Sequence, residues 1–96
     1  MANKEVLLRK LTSKPIPRNF TMRELDQLMS KCGCHKTSGG RGSSVKYIHP
    51  STKRILVFDK PHPGNELYPY HIRMVLIFLK EIGEWKEDID EHADRV

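Results

Sequence analysis

The fold is decided by the stretch GGRGSSVKYIHPSTKRILVFDKPHPGNELYPYHIRMVLIFLKEIGE, Gly39–Glu84 of the 96-residue chain. It begins with a glycine-rich turn and continues with two short segments rich in β-branched and aromatic residues, which are typical of strands. A loop with two prolines around one histidine follows, and the stretch ends in a strongly apolar helix. With a helix and a weak strand predicted before it, the order is helix–strand–strand–strand–helix.

Three strands are predicted, at Cys34–Ser38, Ser43–His49 and Arg54–Phe58. Because the connections between them are short, the strands should form an antiparallel meander. The two-residue period of a strand places Val45 and Tyr47 on one face of the second strand. Lys46 and Ile48 then share the opposite face. The third strand is nearly all apolar, which predicts that it is central in the sheet or covered.

The helix predicted over Met22–Cys32 has a clear beginning. Thr21 and Glu24 form a capping box, in which each side chain can accept a hydrogen bond from the backbone amide of the other residue. Phe20 precedes the cap and can pack back on Leu25 as a hydrophobic staple. These local signals predict that the helix starts directly after Thr21.

Two further helices complete the predicted architecture. The N-terminal helix, Lys4–Thr12, carries leucines on one face, and a linker with two prolines separates it from Phe20. The last helix begins at Pro69, and its apolar stripe should pack on the sheet. Because apolar residues extend beyond that stripe, we expect burial on more than one side. The cover would be the N-terminal helix or, alternatively, a homodimer interface.

The fold class is therefore predicted as α+β, a small three-stranded antiparallel sheet packed on helices. Residues 1–85 should form one domain, with the N-terminal helix and linker in residues 1–19 and the core in residues 20–85. Residues 86–96 form an acidic tail. No apolar run is long enough to span a membrane and the N-terminus has no signal-peptide pattern, so we expect a cytoplasmic protein.

Charge is unevenly distributed along the chain. Residues 1–85 contain 15 Lys and Arg against 7 Asp and Glu, a net charge of +8, and residues 86–96 contain 2 against 5, a net charge of −3. A basic surface attracts phosphate backbones because binding releases condensed counterions. The positive net charge therefore favours RNA as a partner. An excess of Lys and Arg over Asp and Glu also occurs in domains where it only maintains solubility.

The motifs of metabolic enzymes are missing from the sequence. The glycine-rich turn is not a Walker loop, because no Lys followed by Ser or Thr opens a helix after it. Cys32 and Cys34 are too close in sequence for ordinary disulfide geometry, and they supply only two of the four ligands that zinc usually has, although the adjacent His35 leaves a metal site open as the alternative. We interpret the cysteines as small apolar side chains and expect neither a metal nor a cofactor.

Histidine is the residue type suited to metal-free chemistry on RNA. Cleavage needs a base for the ribose 2′-hydroxyl proton, an acid for the leaving oxygen and a cation for the charged transition state. The candidates for proton transfer are His49, which ends the second strand, and His62, which lies between Pro61 and Pro63. The cations predicted to contact RNA are Arg41, Lys46, Lys53, Arg54 and Lys60. The other histidines, His35, His71 and His92, are interpreted as packing or exposed residues.

With these residues the chain resembles the HicA toxins, a family of small bacterial mRNA interferases. The resemblance rests on GSSVKYIHP at Gly42–Pro50, on PHPGNEL at Pro61–Leu67 and on the order of the elements. It covers about Phe20–Glu84 and is similar to a longer subgroup with an N-terminal helix. It implies a fold like the double-stranded-RNA-binding domain (dsRBD-like, α-β-β-β-α), here with that extra helix.

The resemblance implies metal-independent cleavage of mRNA and neutralisation by a HicB antitoxin that covers the active face. In typical members a catalytic histidine lies in the motif G-S-H-H at the start of the second strand. Ser44 stands at its position here, and serine has no pKa suited to general-base work. His49 matches the family's histidine before the turn, and His62 matches the histidine before the last helix. Catalysis is therefore expected at His62 or His49.

Two other functions remain open at this point. A binding module could contact double-stranded RNA through its cations without cutting it, because such RNA is recognised mainly by shape, phosphates and 2′-hydroxyls. A protein-interaction subunit could use the apolar last helix and the acidic tail. The salt dependence of binding distinguishes these two functions. RNA affinity falls steeply as the salt concentration rises, whereas the affinity of an apolar interface does not.

Overall fold

The computed structural model describes residues 3–38, 44–61 and 64–86. Its elements in chain order are α1 Lys4–Leu11, α2 Met22–Lys31, β1 His35–Ser38, β2 Ser44–His49, β3 Arg54–Asp59 and α3 Pro69–Glu81. The strands form one antiparallel sheet in the order β1-β2-β3, which confirms the predicted α+β meander. The boundaries predicted from the sequence agree with these to within one residue.

The start and end of α2 follow from its local sequence. The Thr21 hydroxyl accepts a hydrogen bond from the Glu24 amide at 3.2 Å, and a Glu24 carboxylate oxygen accepts one from the Thr21 amide at 2.9 Å. The predicted capping box is therefore present and satisfies two amides at the helix start. The helix ends before Gly33, whose φ of 83° lies in the left-handed region that glycine adopts without strain.

A hydrophobic core lies between the sheet and the helices. Val45, Tyr47, Leu56 and Phe58 point from the inner face of the sheet, and each is at most 6% exposed. The phenol of Tyr47 donates a hydrogen bond of 2.6 Å to a carboxylate oxygen of Asp26 in α2. Burial and this hydrogen bond raise the pKa of Tyr47, so its hydroxyl stays protonated. The alternation predicted for β2 is confirmed.

β3 occupies an edge of the sheet, and β2 is the central strand. The expectation that the third strand is central or covered was wrong for its position and for its outer side, where Ile55 is 53% exposed and Val57 is 42% exposed. The inner side of β3 packs on α3. Alternate side chains of a strand point to opposite faces, so a continuous apolar run is compatible with burial on one face alone.

α1 belongs to the same core as the rest of the domain. Leu7 and Leu11 are each 1% exposed and pack in the cluster that contains the buried face of α3. Lys4 donates a hydrogen bond of 2.8 Å to Glu84, just beyond α3. The helix that α1 packs against is α2. Cover of α3 by α1 therefore stays a prediction, and Ile77 of α3 is 57% exposed.

Candidate nucleic-acid interface

The face of the sheet opposite the core, called here the outer face, is partly polar and partly apolar. The strand register places on it His35, Thr37, Ser44, Lys46, Ile48, Ile55, Val57 and Asp59. Thr37, Lys46 and Val57 are direct neighbours across the three strands, so the cation of Lys46 lies beside an exposed aliphatic side chain. Such a surface offers contacts both to phosphate and to an apolar partner.

The Ser44–Asp59 end of the sheet, where β2 begins and β3 ends, combines a hydroxyl, a carboxylate and a cation. Ser44 pairs with Asp59 across the strands, and its hydroxyl donates a hydrogen bond of 3.3 Å to an Asp59 carboxylate oxygen. The exposed Lys60 follows directly. In sequence, Arg41 precedes Ser44 by three residues and His62 follows Asp59 by three, but both lie outside the described residues.

His49 lies at the opposite end of β2 and on the inner face. It pairs with Arg54. It lies five residue steps along the strand from Ser44, which corresponds to about 17 Å at the rise of an antiparallel strand. His49 is 8% exposed, and its Nδ1 lies 2.8 Å from the Thr52 hydroxyl in the turn between β2 and β3. The fold therefore does not bring His49 to the Ser44–Asp59 end.

The described cations predicted to contact phosphate divide between the two ends of the sheet. Lys46 and Lys60 lie near the Ser44–Asp59 end. Lys53 and Arg54 lie at the β2–β3 turn, where a guanidinium nitrogen of Arg54 is 3.9 Å from a carboxylate oxygen of Glu81 in α3. Contact with both groups would require an extended stretch of phosphate backbone rather than a single phosphate.

His71 is a buried histidine that connects two parts of the chain. It is 0% exposed and lies in the first turn of α3. Its Nδ1 accepts a hydrogen bond from the Tyr68 amide at 3.0 Å, and its Nε2 lies 3.1 Å from the Asp59 carbonyl oxygen. Because an amide only donates and a carbonyl only accepts, the proton of the neutral ring is on Nε2. Burial lowers the pKa of His71 and so favours this neutral form.

Cys32 and Cys34 are buried and unpaired, as their interpretation as small apolar side chains requires. Burial raises the pKa of Cys32 to about 12 and that of Cys34 to about 11. These thiols stay protonated at neutral pH, so neither is an activated nucleophile. In the described ranges no three His, Cys, Asp or Glu side chains are arranged to hold a metal ion, and no helix could cross a membrane.

Two residues of this region carry no sequence motif that identifies them. Asp59 could have been found from the hairpin register, because the short turn after His49 fixes which residue of β3 faces Ser44. The hydrogen bond of His71 to the Asp59 carbonyl joins residues that are 12 positions apart in sequence. No local sequence pattern indicates that these two groups meet.

An open three-stranded antiparallel sheet with helices packed on one face defines a small α+β domain of the type seen in double-stranded-RNA-binding domains. The family described as HicA toxin of bacterial toxin-antitoxin matches residues 22–83, from the first residue of α2 to just beyond α3. The chain therefore belongs to the HicA toxin family, as the resemblance of its motifs suggested. No curated protein and no solved structure matches it significantly.

Proposed function

We propose that the chain is a toxin that cleaves mRNA in the cytoplasm without a metal or cofactor and is neutralised by a HicB-type antitoxin. Membership of the HicA toxin family over residues 22–83 is the observation that carries this proposal. The cations near the Ser44–Asp59 end support it, because Lys46 and Lys60 can contact phosphate there. Arg41, Lys53 and Arg54 are proposed to bind flanking phosphates.

The proposed reaction is attack of a ribose 2′-hydroxyl on the adjacent phosphorus. A base removes the hydroxyl proton, the bond from phosphorus to the 5′ oxygen breaks, and an acid protonates that oxygen, which leaves a 2′,3′-cyclic phosphate. We assign His62 to proton transfer and Lys60 and Lys46 to stabilisation of the phosphate charge. His49 is the second candidate, although its burial and its contact with Thr52 favour a structural role.

Ser44 favours a second candidate function, RNA binding without cleavage. It stands where typical family members carry the catalytic histidine, and its hydroxyl is engaged by the Asp59 carboxylate. A chain without that imidazole could hold RNA through its cations and leave the phosphodiester intact.

The outer face of the sheet is the proposed binding site of the antitoxin. Ile55 and Val57 are exposed there and would contribute apolar area to an interface. Lys46 and Ser44 share the same face, so an antitoxin bound to it would also keep RNA away from the Ser44–Asp59 end.

The test is cleavage of a long unstructured RNA by the purified chain in excess EDTA, with His62→Ala and His49→Ala alongside. We expect fragments that end in a 2′,3′-cyclic phosphate and a rate at least about 10²-fold lower for His62→Ala, as for loss of a general acid or base. His49→Ala should still cleave if its circular dichroism shows an intact fold.

Retained cleavage by a folded His62→Ala protein would contradict the role of His62, and a loss confined to His49→Ala would transfer that role to His49. Binding without cleavage by the unaltered chain would support the second candidate function. In either case Lys46→Ala and Lys60→Ala should each weaken RNA binding across sequences and reduce the salt slope by about 1.

A further inference from the structure

The imidazole of His71 joins the two ends of the connection between β3 and α3. Asp59 is the last residue of β3, and Tyr68 is the cap residue of α3. The ring donates from Nε2 to the Asp59 carbonyl at 3.1 Å and accepts at Nδ1 from the Tyr68 amide at 3.0 Å. The two ends of the connection are therefore linked by hydrogen bonds to a single side chain.

Packing holds the His71 ring in place. Its centroid lies 5.0 Å from that of Phe58, 5.3 Å from that of Tyr68 and 4.1 Å from that of Tyr70. Because His71 is also 0% exposed, the ring has little freedom to rotate. The Asp59 carbonyl is thereby held at a defined position relative to α3.

A second set of contacts anchors the other half of the connection. The Leu67 amide donates to the Phe20 carbonyl at 2.8 Å, and the Met22 amide donates to the Asn65 carbonyl at 2.8 Å. These bonds attach residues 65–67 to the residues at the start of α2, whereas Asp59 is held by its pairing with Ser44 and by the bond to His71. Removal of the His71 bonds should therefore loosen the end of β3, which would then depend on its pairing with Ser44 alone, and leave residues 65–67 in place.

We propose that His71 is a positioning residue for the Ser44–Asp59 end of the sheet. By holding the backbone of Asp59, it directs the Asp59 carboxylate, which receives the Ser44 hydroxyl, and it sets the path of the next residue, Lys60. His71 itself is buried and does not touch RNA. The inference rests on the proposed function, because it gives His71 a part in RNA contact and cleavage at that end.

The test compares His71→Phe, His71→Gln and Val75→Ala with the unaltered chain. Phenylalanine keeps a packed ring and removes both hydrogen bonds, whereas the glutamine amide can still accept one bond and donate another. Val75 is 0% exposed on the same helix, and no hydrogen bond of the connection involves its side chain, so Val75→Ala serves as the destabilised control. All four proteins are assayed on the same unstructured RNA in excess EDTA.

We expect kcat to fall by up to about 10²-fold in His71→Phe, the effect of displacing a contact by about 1 Å, while KM changes little. His71→Gln should recover part of that loss, and Val75→Ala should keep the kcat of the unaltered chain at temperatures where it is folded. Amide exchange should accelerate at Tyr68 in His71→Phe and stay slow at Leu67, whose amide bonds to Phe20.

Unchanged kcat in a His71→Phe protein with a fast-exchanging Tyr68 amide would overturn the inference, and so would an equal loss in Val75→Ala. If the unaltered chain binds RNA but does not cleave it, the cleavage proposal fails on its own. Lower RNA affinity in His71→Phe than in Val75→Ala would then still support a positioning role, and equal affinity would refute it.

Discussion

We expect His71 to make the free energy of unfolding depend on pH. A second proton would have to enter at Nδ1, where the Tyr68 amide already donates, so the charged ring would lose that hydrogen bond inside a buried site. Burial therefore lowers the pKa of His71 from its ordinary value of 6.5 in the folded chain. Between the folded and the unfolded pKa the unfolded chain binds more protons, so stability rises with pH there. The contribution of His71 is complete above about pH 6.5 and is lost as the pH falls below it.

We expect His71→Gln to lose less stability on acidification than the unaltered chain, because glutamine can offer hydrogen bonds without titrating. Urea unfolding at about pH 7.5 and about pH 5.5 measures this difference. His35→Gln is the matched control, since His35 is an exposed histidine on the outer face, and it should behave like the unaltered chain. Equal losses in His71→Gln and the unaltered chain would contradict the expected linkage.

The histidines show where sequence reasoning stops at the scale of single residues. His49 and His62 are both plausible in sequence because each ends or follows a strand beside cations. The strand register determines where the His49 side chain points and how far it is buried. It directs His49 toward the core, about 17 Å along the strand from Ser44. The same register brings Asp59 to Ser44, so tertiary pairing rather than residue type determines which polar groups meet.

At the scale of elements, α2 could be predicted almost completely and the position of β3 could not. The signals of α2 are local: Thr21 and Glu24 cap it, and Gly33 ends it with a left-handed φ. β3 is nearly all apolar between Arg54 and Asp59, and the composition of a strand does not determine whether it becomes central. That depends on how the meander folds back on itself, and it leaves Ile55 and Val57 exposed.

The exposed side of β3 leads to a prediction about the antitoxin. Val57→Asp should weaken binding of a HicB-type antitoxin by about tenfold or more, because a buried carboxylate without a partner in the interface is costly. Ile77→Asp is the matched control, since Ile77 is also an exposed aliphatic side chain but lies on α3. Isothermal titration calorimetry gives both affinities. A larger loss for Ile77→Asp than for Val57→Asp would move the interface from the outer face to α3.

At the scale of the whole molecule, the proposed RNA binding should respond to two regions of opposite charge through one long-range field. Residues 1–85 carry +8, and residues 86–96 carry −3. The basic part attracts the phosphate backbone and the acidic part repels it, whatever path the tail takes. We therefore expect the charges of the tail to reduce RNA affinity by an amount that depends on ionic strength.

Removal of the five acidic charges should raise the net charge from +5 to +10 and strengthen RNA binding. The substitutions are Glu87→Gln, Asp88→Asn, Asp90→Asn, Glu91→Gln and Asp94→Asn. The gain should be largest at low salt and should vanish near about 1 M salt, where the screening length is only about 3 Å. A chain with the same tail residues in scrambled order is the control and should bind like the unaltered chain, because only the amount of charge enters the long-range field.

Filter binding across a salt series measures the RNA affinities of the unaltered, neutralised and scrambled chains. If neutralisation leaves affinity unchanged at low salt, the tail does not act through charge, and if scrambling alone strengthens binding, a specific contact of the tail sequence is responsible instead.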